Sequence, residues 1–531
     1  MEKRTSQPGS PAGWATLTLL VLLLPFMMWM SRDYGVTWDE RARDTHGRRV
    51  IDYWNGRRSI DAFKVNGSHL YGGLFDVICV LAERRAETND FVVRHRINAA
   101  FGWLGIALCT LLARRLFGAR TGLLALILLA LSPRYFGEAM NNPKDLPFAA
   151  LSLVPLYQFT RIRREWPYLT WVEAAWLGVA IALPLNVRPG ALLYFGYSGV
   201  ALGAVAIASG EQQPRRWAQL VLKVALVMAI ALPLGTVTWP WALQSPFTRP
   251  FEALLSVAEF DWSGVVLFKG QEFEGHALPW DYVPVWFLIT TPPVVILGLA
   301  CSWYRVTAHE SRWQTLGLWG MVLFPIAAVT IRGSTLYDGI RHLLFVYPVA
   351  IVIASAGWTA LLARMRSPLV SRLAVASLLV GLAELLVFQV RNHPHQVVYM
   401  NAIVGGPRGA AYRFDLDYWG NCMAQATDWS ARQARIAGQR LTVAGSPQHL
   451  VADNARRYRE LRTSRNGEHH LEILLMRGGR STLAQRTARP DILYRVTTAD
   501  RAILCIVVPG PKYDEIAERL NRDLASAARA Y

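Results

Sequence analysis

Long apolar runs broken by short basic loops set the pattern of this chain. A membrane span needs roughly 20 apolar residues. Such runs fall at about 13–30, 97–113, 121–137, 146–160, 174–187, 190–208, 218–239, 282–302, 314–331, 340–360 and 369–390. The pattern predicts about eleven transmembrane helices, the 174–208 pair being the least regular because Arg188 interrupts it. Between the first two runs lies a loop, 31–96, in which Arg41 to Trp54 reads as a helix with Val50, Ile51 and Trp54 on one face. Residues 70–82 are apolar but short, which suits an interfacial or re-entrant helix better than a span. A second loop, 240–281, is rich in the tryptophans that favour a membrane interface. From about residue 391 the apolar spans stop and charge rises. There the pattern predicts a helix over 421–437, a strand from Leu441 to Ala444, and a hairpin from Asp491 to Pro509 turning at Thr498-Ala-Asp500. The predicted architecture is an α-helical polytopic membrane protein, residues 1–390, followed by a small soluble α/β domain, residues 391–531.

Composition agrees with a membrane protein: 53% of the 531 residues are hydrophobic. The net charge of +18 invites a nucleic-acid reading, but its distribution argues against one. Basic pairs such as Arg114 and Arg115, Arg215 and Arg216, and Arg364 and Arg366 sit in short loops after every second span, as the positive-inside rule requires. Lys3 and Arg4 put the N-terminus on the same, cytoplasmic side. An odd number of spans then places the C-terminal domain outside, and the chain is expected to be a multi-pass protein of the inner (plasma) membrane. Cys422 and Cys505 both fall in that outer domain, where a disulfide and two free thiols are both open readings.

The candidate chemistry lies at the outer ends of the spans. Asp39 and Glu40 follow the first span in Tyr34-Gly-Val-Thr-Trp-Asp-Glu40, and Glu138 and Asp145 lie in the loop Pro133-Arg-Tyr-Phe-Gly-Glu-Ala-Met-Asn-Asn-Pro-Lys-Asp145. Acids at the mouth of a membrane bundle are costly to desolvate and usually mark chemistry or a pathway. One of the first pair can serve as a general base, or both can salt-bridge to Arg41 or Arg43 at a helix start. Asp145 can cap the next helix or face a shared cavity, and with Glu138 and Asp39 it offers oxygens for a divalent cation. Arg188, in Leu185-Asn-Val-Arg-Pro-Gly190, needs an anionic partner, either a phosphate or one of these acids. Arg341 and His342, at the head of a late span, suit a phosphate headgroup or interfacial snorkelling. Asp415-Leu-Asp417 and the His393, His395 pair lack the context of a metal site. The absence of a GxxxxGK[ST] loop disfavours an ATP-driven pump.

Three motifs together resemble the GT-C membrane glycosyltransferases, specifically the bacterial relatives of protein O-mannosyltransferases and of the lipid A aminoarabinose transferase. They are Thr37-Trp-Asp-Glu40, the segment from Ser132-Pro133 to Asp145-Leu-Pro147, and Tyr337-Asp-Gly-Ile-Arg-His-Leu-Leu-Phe-Val-Tyr-Pro348. The resemblance spans roughly residues 12–390. It implies a polyprenyl-phosphate sugar donor, inversion at the sugar carbon, and a lipid, glycan or protein acceptor in the cell envelope. It also implies Asp39 as the catalytic acid of the first loop, with Glu40 beside it. Asp145 would lie near acceptor or metal, and Arg341 near the donor phosphate. The rival reading, a transporter or lipid-linked sugar flippase, uses the same acids as an ion or proton site; it predicts inverted repeats and mid-span charges, which the pattern lacks.

Overall fold

The computed structural model describes residues 10–87, 91–260, 262–307, 311–464 and 467–520; Lys3 and Arg4 lie outside them. All eleven apolar runs fall on helices, yet fewer than eleven helices are of spanning length. Among the described residues seven are long and apolar enough to cross a membrane, or nine if two bent pairs each count as one span. The shortfall is one of length. Asp145–Phe159 and Trp171–Leu185 have 15 residues each. At 1.5 Å per residue they rise about 22 Å, less than the ~30 Å hydrocarbon core. The bent pairs are Ala119–Leu131 with Pro133–Asn141, at 66°, and Tyr282–Thr290 with Pro293–Val306, at 109°. Both breaks precede a proline, which drives the preceding residue out of the helical region: Ser132 and Thr291 are both extended.

The Tyr347–Arg364 helix is the centre of the bundle and is buried along almost its whole length. It meets Pro293–Cys301 backbone to backbone, where a Cβ on Gly357 would fall 1.9 Å from the Gly298 carbonyl oxygen, so small residues set the close approach. The Pro368–Arg391 helix lies at the rim. Val380 and Val390 are each 70% exposed there, which in a membrane means contact with lipid.

The first loop folds into two helices, Glu40–Trp54 and Leu74–Arg85. Some of its arginines are paired within the loop, while Arg41 pairs with Asp453 of the C-terminal segment. Arg43 lies 2.5 Å from Asp76, and Arg94 lies 3.2 Å from both Asp44 and Glu83. The second loop contains a hairpin that the sequence pattern did not predict, β1 (Val265–Phe268) paired antiparallel with β2 (Gln271–Glu274). Its two-residue turn, Lys269-Gly270, has both residues at positive φ, the mirror-image turn that matches strand twist.

After Arg391 the chain forms the predicted helix, Met423–Ala437, and a five-stranded sheet. Its strands are β3 (Leu441–Ser446), β4 (Leu461–Thr463), β5 (Leu471–Leu475), β6 (Tyr494–Thr497) and β7 (Ile503–Pro509), in the order β4-β3-β5-β7-β6. The β3 pairings are parallel and the β7 pairings antiparallel. The β6–β7 pair is the hairpin expected from the sequence; the central β5 is not among the predicted strands. Cys422 and Cys505 are both free, the Cys505 thiol donating to the Cys422 carbonyl at 3.5 Å. This segment is tied to the spans by Asn401, which donates to the Leu288 and Thr291 carbonyls at the second bend.

Candidate active site

The extended segment Tyr34–Thr37 delivers Asp39 and Glu40 to the start of the Glu40–Trp54 helix. Neither carboxylate pairs with Arg41 or Arg43. Glu40 is buried and faces inward. It accepts from the Thr37 amide at 2.7 Å and the Thr37 hydroxyl at 3.1 Å, and lies 2.9 Å from the His95 ring. Asp39 occupies the N-cap position but makes no side-chain cap bond. Its carboxylate instead accepts from Arg341 at 3.3 Å, with 22% of the side chain exposed. The tandem acids therefore do different things: Glu40 holds the loop, and Asp39 stays part-exposed beside Arg341. Glu40→Gln is expected to lower the melting temperature, through loss of about 1–3 kcal/mol, and to keep transfer per folded molecule. Unchanged melting with transfer lost would reassign the base to Glu40.

Arg341 heads a short turn that leads into the central helix. Its guanidinium lies between the rings of Tyr337 and Trp419, 4.7 Å from each centroid, and 3.5 Å from Asp338. Two aromatic faces and two carboxylates fix the plane of its fork. His342, beside it, stands edge-on to Tyr337 with its Nδ1 unbonded.

Asp145 opens the Asp145–Phe159 helix but does not cap it. The Asn142 side-chain oxygen does so, accepting from the Lys144 and Asp145 amides. Asp145 instead forms an ion pair with Arg188 at 2.6 Å, one of the two partners open to that arginine from the sequence. Glu138 is buried and points to the C-terminal segment, accepting from the Tyr418 hydroxyl at 2.5 Å and the Trp419 indole at 2.9 Å. Glu138 and Asp145 share one donor, the Asn142 side-chain amide, at 2.6 and 3.2 Å, while Asp39 answers to Arg341. Among the described residues no group of three His, Cys, Asp or Glu side chains stands together to hold a metal ion.

Four residues without an assigned role in the sequence reading complete the site. Lys144 lies with its ammonium 3.5 Å from the centre of the Tyr71 ring and forms no ion pair among the described residues. Burial holds its ammonium below the ordinary lysine range, with Arg188 adding to the effect. Burial by itself would raise the Tyr71 phenol, but Lys144 and Arg188 bring it below its usual range. Asp338 lies 2.6 Å from Arg477, a residue of the C-terminal segment, and burial pushes its carboxyl up against the pull of Arg477 and Arg341. Arg477 also lies over the Trp38 ring, next to Asp39. Four cations, Lys144, Arg188, Arg341 and Arg477, therefore face three carboxylates, Asp39, Asp145 and Asp338. Such a site has a cation to spare for an anionic ligand.

Residues 86–241 match the dolichyl-phosphate-mannose-protein mannosyltransferase family. No curated protein sequence matches the chain. In structure the chain is similar to ArnT from Cupriavidus metallidurans bound to undecaprenyl phosphate, with 15% identity, a TM-score of 0.49, and 94% of this chain and 98% of that one covered. It is also similar to the oligosaccharyltransferase AglB from Archaeoglobus fulgidus in complex with an inhibitory peptide and a dolichol-phosphate, with 11% identity, a TM-score of 0.43, and 83% of this chain and 64% of that one covered. The family match contains Glu138, Asp145 and Arg188, and ends before Arg341. Over that segment the chain is similar to a family of the kind that its motifs resemble.

Proposed function

We propose that the protein transfers a sugar from a polyprenyl-phosphate donor to an acceptor hydroxyl in a single inverting displacement. The observation that carries this reading is the Asp39–Arg341 pair, a part-exposed carboxylate beside a fixed guanidinium. The matched family, named for a dolichyl-phosphate sugar, supports a donor of this chemistry. A lipid phosphate is a good leaving group, so the departing side needs cations and no general acid. Arg341 binds the donor phosphate with its fork, and the unpaired Lys144 adds a second positive charge. As the phosphate takes the guanidinium, the Asp39 carboxylate is released to accept the acceptor's hydroxyl proton. The acceptor oxygen bonds to the sugar carbon, the bond from that carbon to the phosphate oxygen breaks, and the lipid phosphate leaves. Arg188 holds Asp145 in place at the wall of the site, and Glu138 holds Tyr418 and Trp419 over it.

The reaction is tested in membranes with a radiolabelled polyprenyl-phosphate sugar and an envelope extract as acceptor pool. The expected result is label in product with inverted configuration. Label that never leaves the donor would overturn the reading, and retained configuration would overturn the single displacement. The C-terminal segment lies outside the cytoplasm in this proposal, as it would with nine spans, both bent pairs crossing. A reporter fused after residue 531 that works only in the cytoplasm would reverse the orientation.

A further inference from the structure

A groove on the C-terminal segment has a charge that the reaction site does not use. It encloses about 980 Å³ between the Gln448–Ala455 helix, the turn after it and β4. Arg440, Arg456, Arg459, Arg462 and His449 line it and are all exposed. Carboxylates barely offset them. Arg456 is 3.8 Å from Asp453, while Arg459 and Arg462 form no ion pair among the described residues. The acids beside the groove are committed elsewhere: Glu460 faces Arg435 at 3.4 Å, Asp428 pairs with Arg432 at 2.6 Å, and both oxygens of Asp453 accept from the Arg41 Nε, at 2.8 and 2.9 Å. Exposed like charges held around one cavity repel each other, and a bound anion relieves that cost.

The groove is also held in register with Asp39. Its helix is fastened to the loop that carries Asp39, through Arg41 on one side and the Val36 amide on the other, which donates to Asn454 at 3.0 Å. His449, on the groove wall, packs edge-on against Trp38 with ring centres 4.9 Å apart, and Trp38 is the residue before Asp39. The groove wall therefore touches the loop that carries Asp39.

We infer that this groove binds the phosphate or carboxylate groups of an anionic acceptor and so presents its hydroxyl to Asp39. The inference rests on the transferase reading for the word acceptor; the anion site stands on the groove itself. Arg459→Ala with Arg462→Ala removes two exposed side chains, and Arg432→Ala on the neighbouring helix is the charge control. Pyrophosphate is the probe, titrated onto full-length purified protein saturated with polyprenyl phosphate so that the donor site is filled. The double variant is expected to bind pyrophosphate about tenfold more weakly or worse, the scale of losing charge-assisted hydrogen bonds, with Arg432→Ala unchanged. In the transfer assay its acceptor KM should rise by a similar factor at unchanged kcat, and the labelled product should be retained on an anion exchanger. Equal pyrophosphate affinity in wild type and double variant overturns the groove. Weakened pyrophosphate binding with unchanged acceptor KM, or a neutral product, overturns the acceptor assignment. Wild-type protein that transfers nothing strikes the transferase reading instead.

Discussion

Asp39→Asn is expected to slow sugar transfer by about 10²-fold or more, the scale of a general base, in a protein that still inserts and folds. The amide keeps the shape of the carboxylate and the N-cap position, where Asp39 makes no cap bond that could be lost. It cannot take a proton from the acceptor. It also leaves Arg341 with Asp338 as its remaining carboxylate neighbour, so the donor phosphate meets less competition for the guanidinium. Donor affinity should therefore stay the same or improve while turnover collapses. That split separates a base from a merely structural acid. Near-normal turnover in purified Asp39→Asn would remove the base from this position.

The second large effect concerns Arg341. Arg341→Lys keeps the charge but loses the planar fork and the stacking between Tyr337 and Trp419, so donor affinity should fall about tenfold or more. Arg341→Ala should be worse, because it also leaves Asp39 without its cation and Asp338 with Arg477 alone. Removing one partner of a buried pair costs about 3–5 kcal/mol, so the alanine variant is also expected to melt earlier. The lysine variant is the cleaner test. Donor binding and melting are measured on the same preparation, and unchanged donor affinity in folded Arg341→Lys would exclude a forked phosphate contact.

The residues that meet at this pair were legible in the sequence for a simple reason. An acid just past the first span and an arginine at the head of a late one are each costly in lipid, and cost makes a residue visible. What they meet was not visible. Arg477 is 139 residues from Asp338, and Trp419 comes from a loop whose sequence gives no hint that it covers Arg341. Lys144 adjoins Asp145 in sequence, but its isolation depends on Tyr71, from a different loop. Helix positions could be read because apolar length is a local property. The number of spans could not, because Asp145–Phe159 and Trp171–Leu185 are apolar yet short. The Lys269-Gly270 turn escaped notice because it lacks the asparagine or aspartate that usually announces such a hairpin. The strand β5 reads Leu471-Glu-Ile-Leu-Leu475, a short, mostly apolar stretch without the strict alternation that marks a half-buried strand.

The cover that Tyr418, Trp419 and Arg477 form over the outer ends of the spans bears on when the protein becomes active. A chain halted after residue 391 already contains the bundle, Asp39 and Arg341. It lacks the second aromatic wall of Arg341, the closer of the two cations beside Asp338, and two of the donors that hold Glu138. During synthesis the membrane part would therefore be assembled yet silent, and competence would arrive only as the last quarter of the chain folds down. On the proposed transferase reading, an unfinished copy would then be unable to spill the donor's sugar into water.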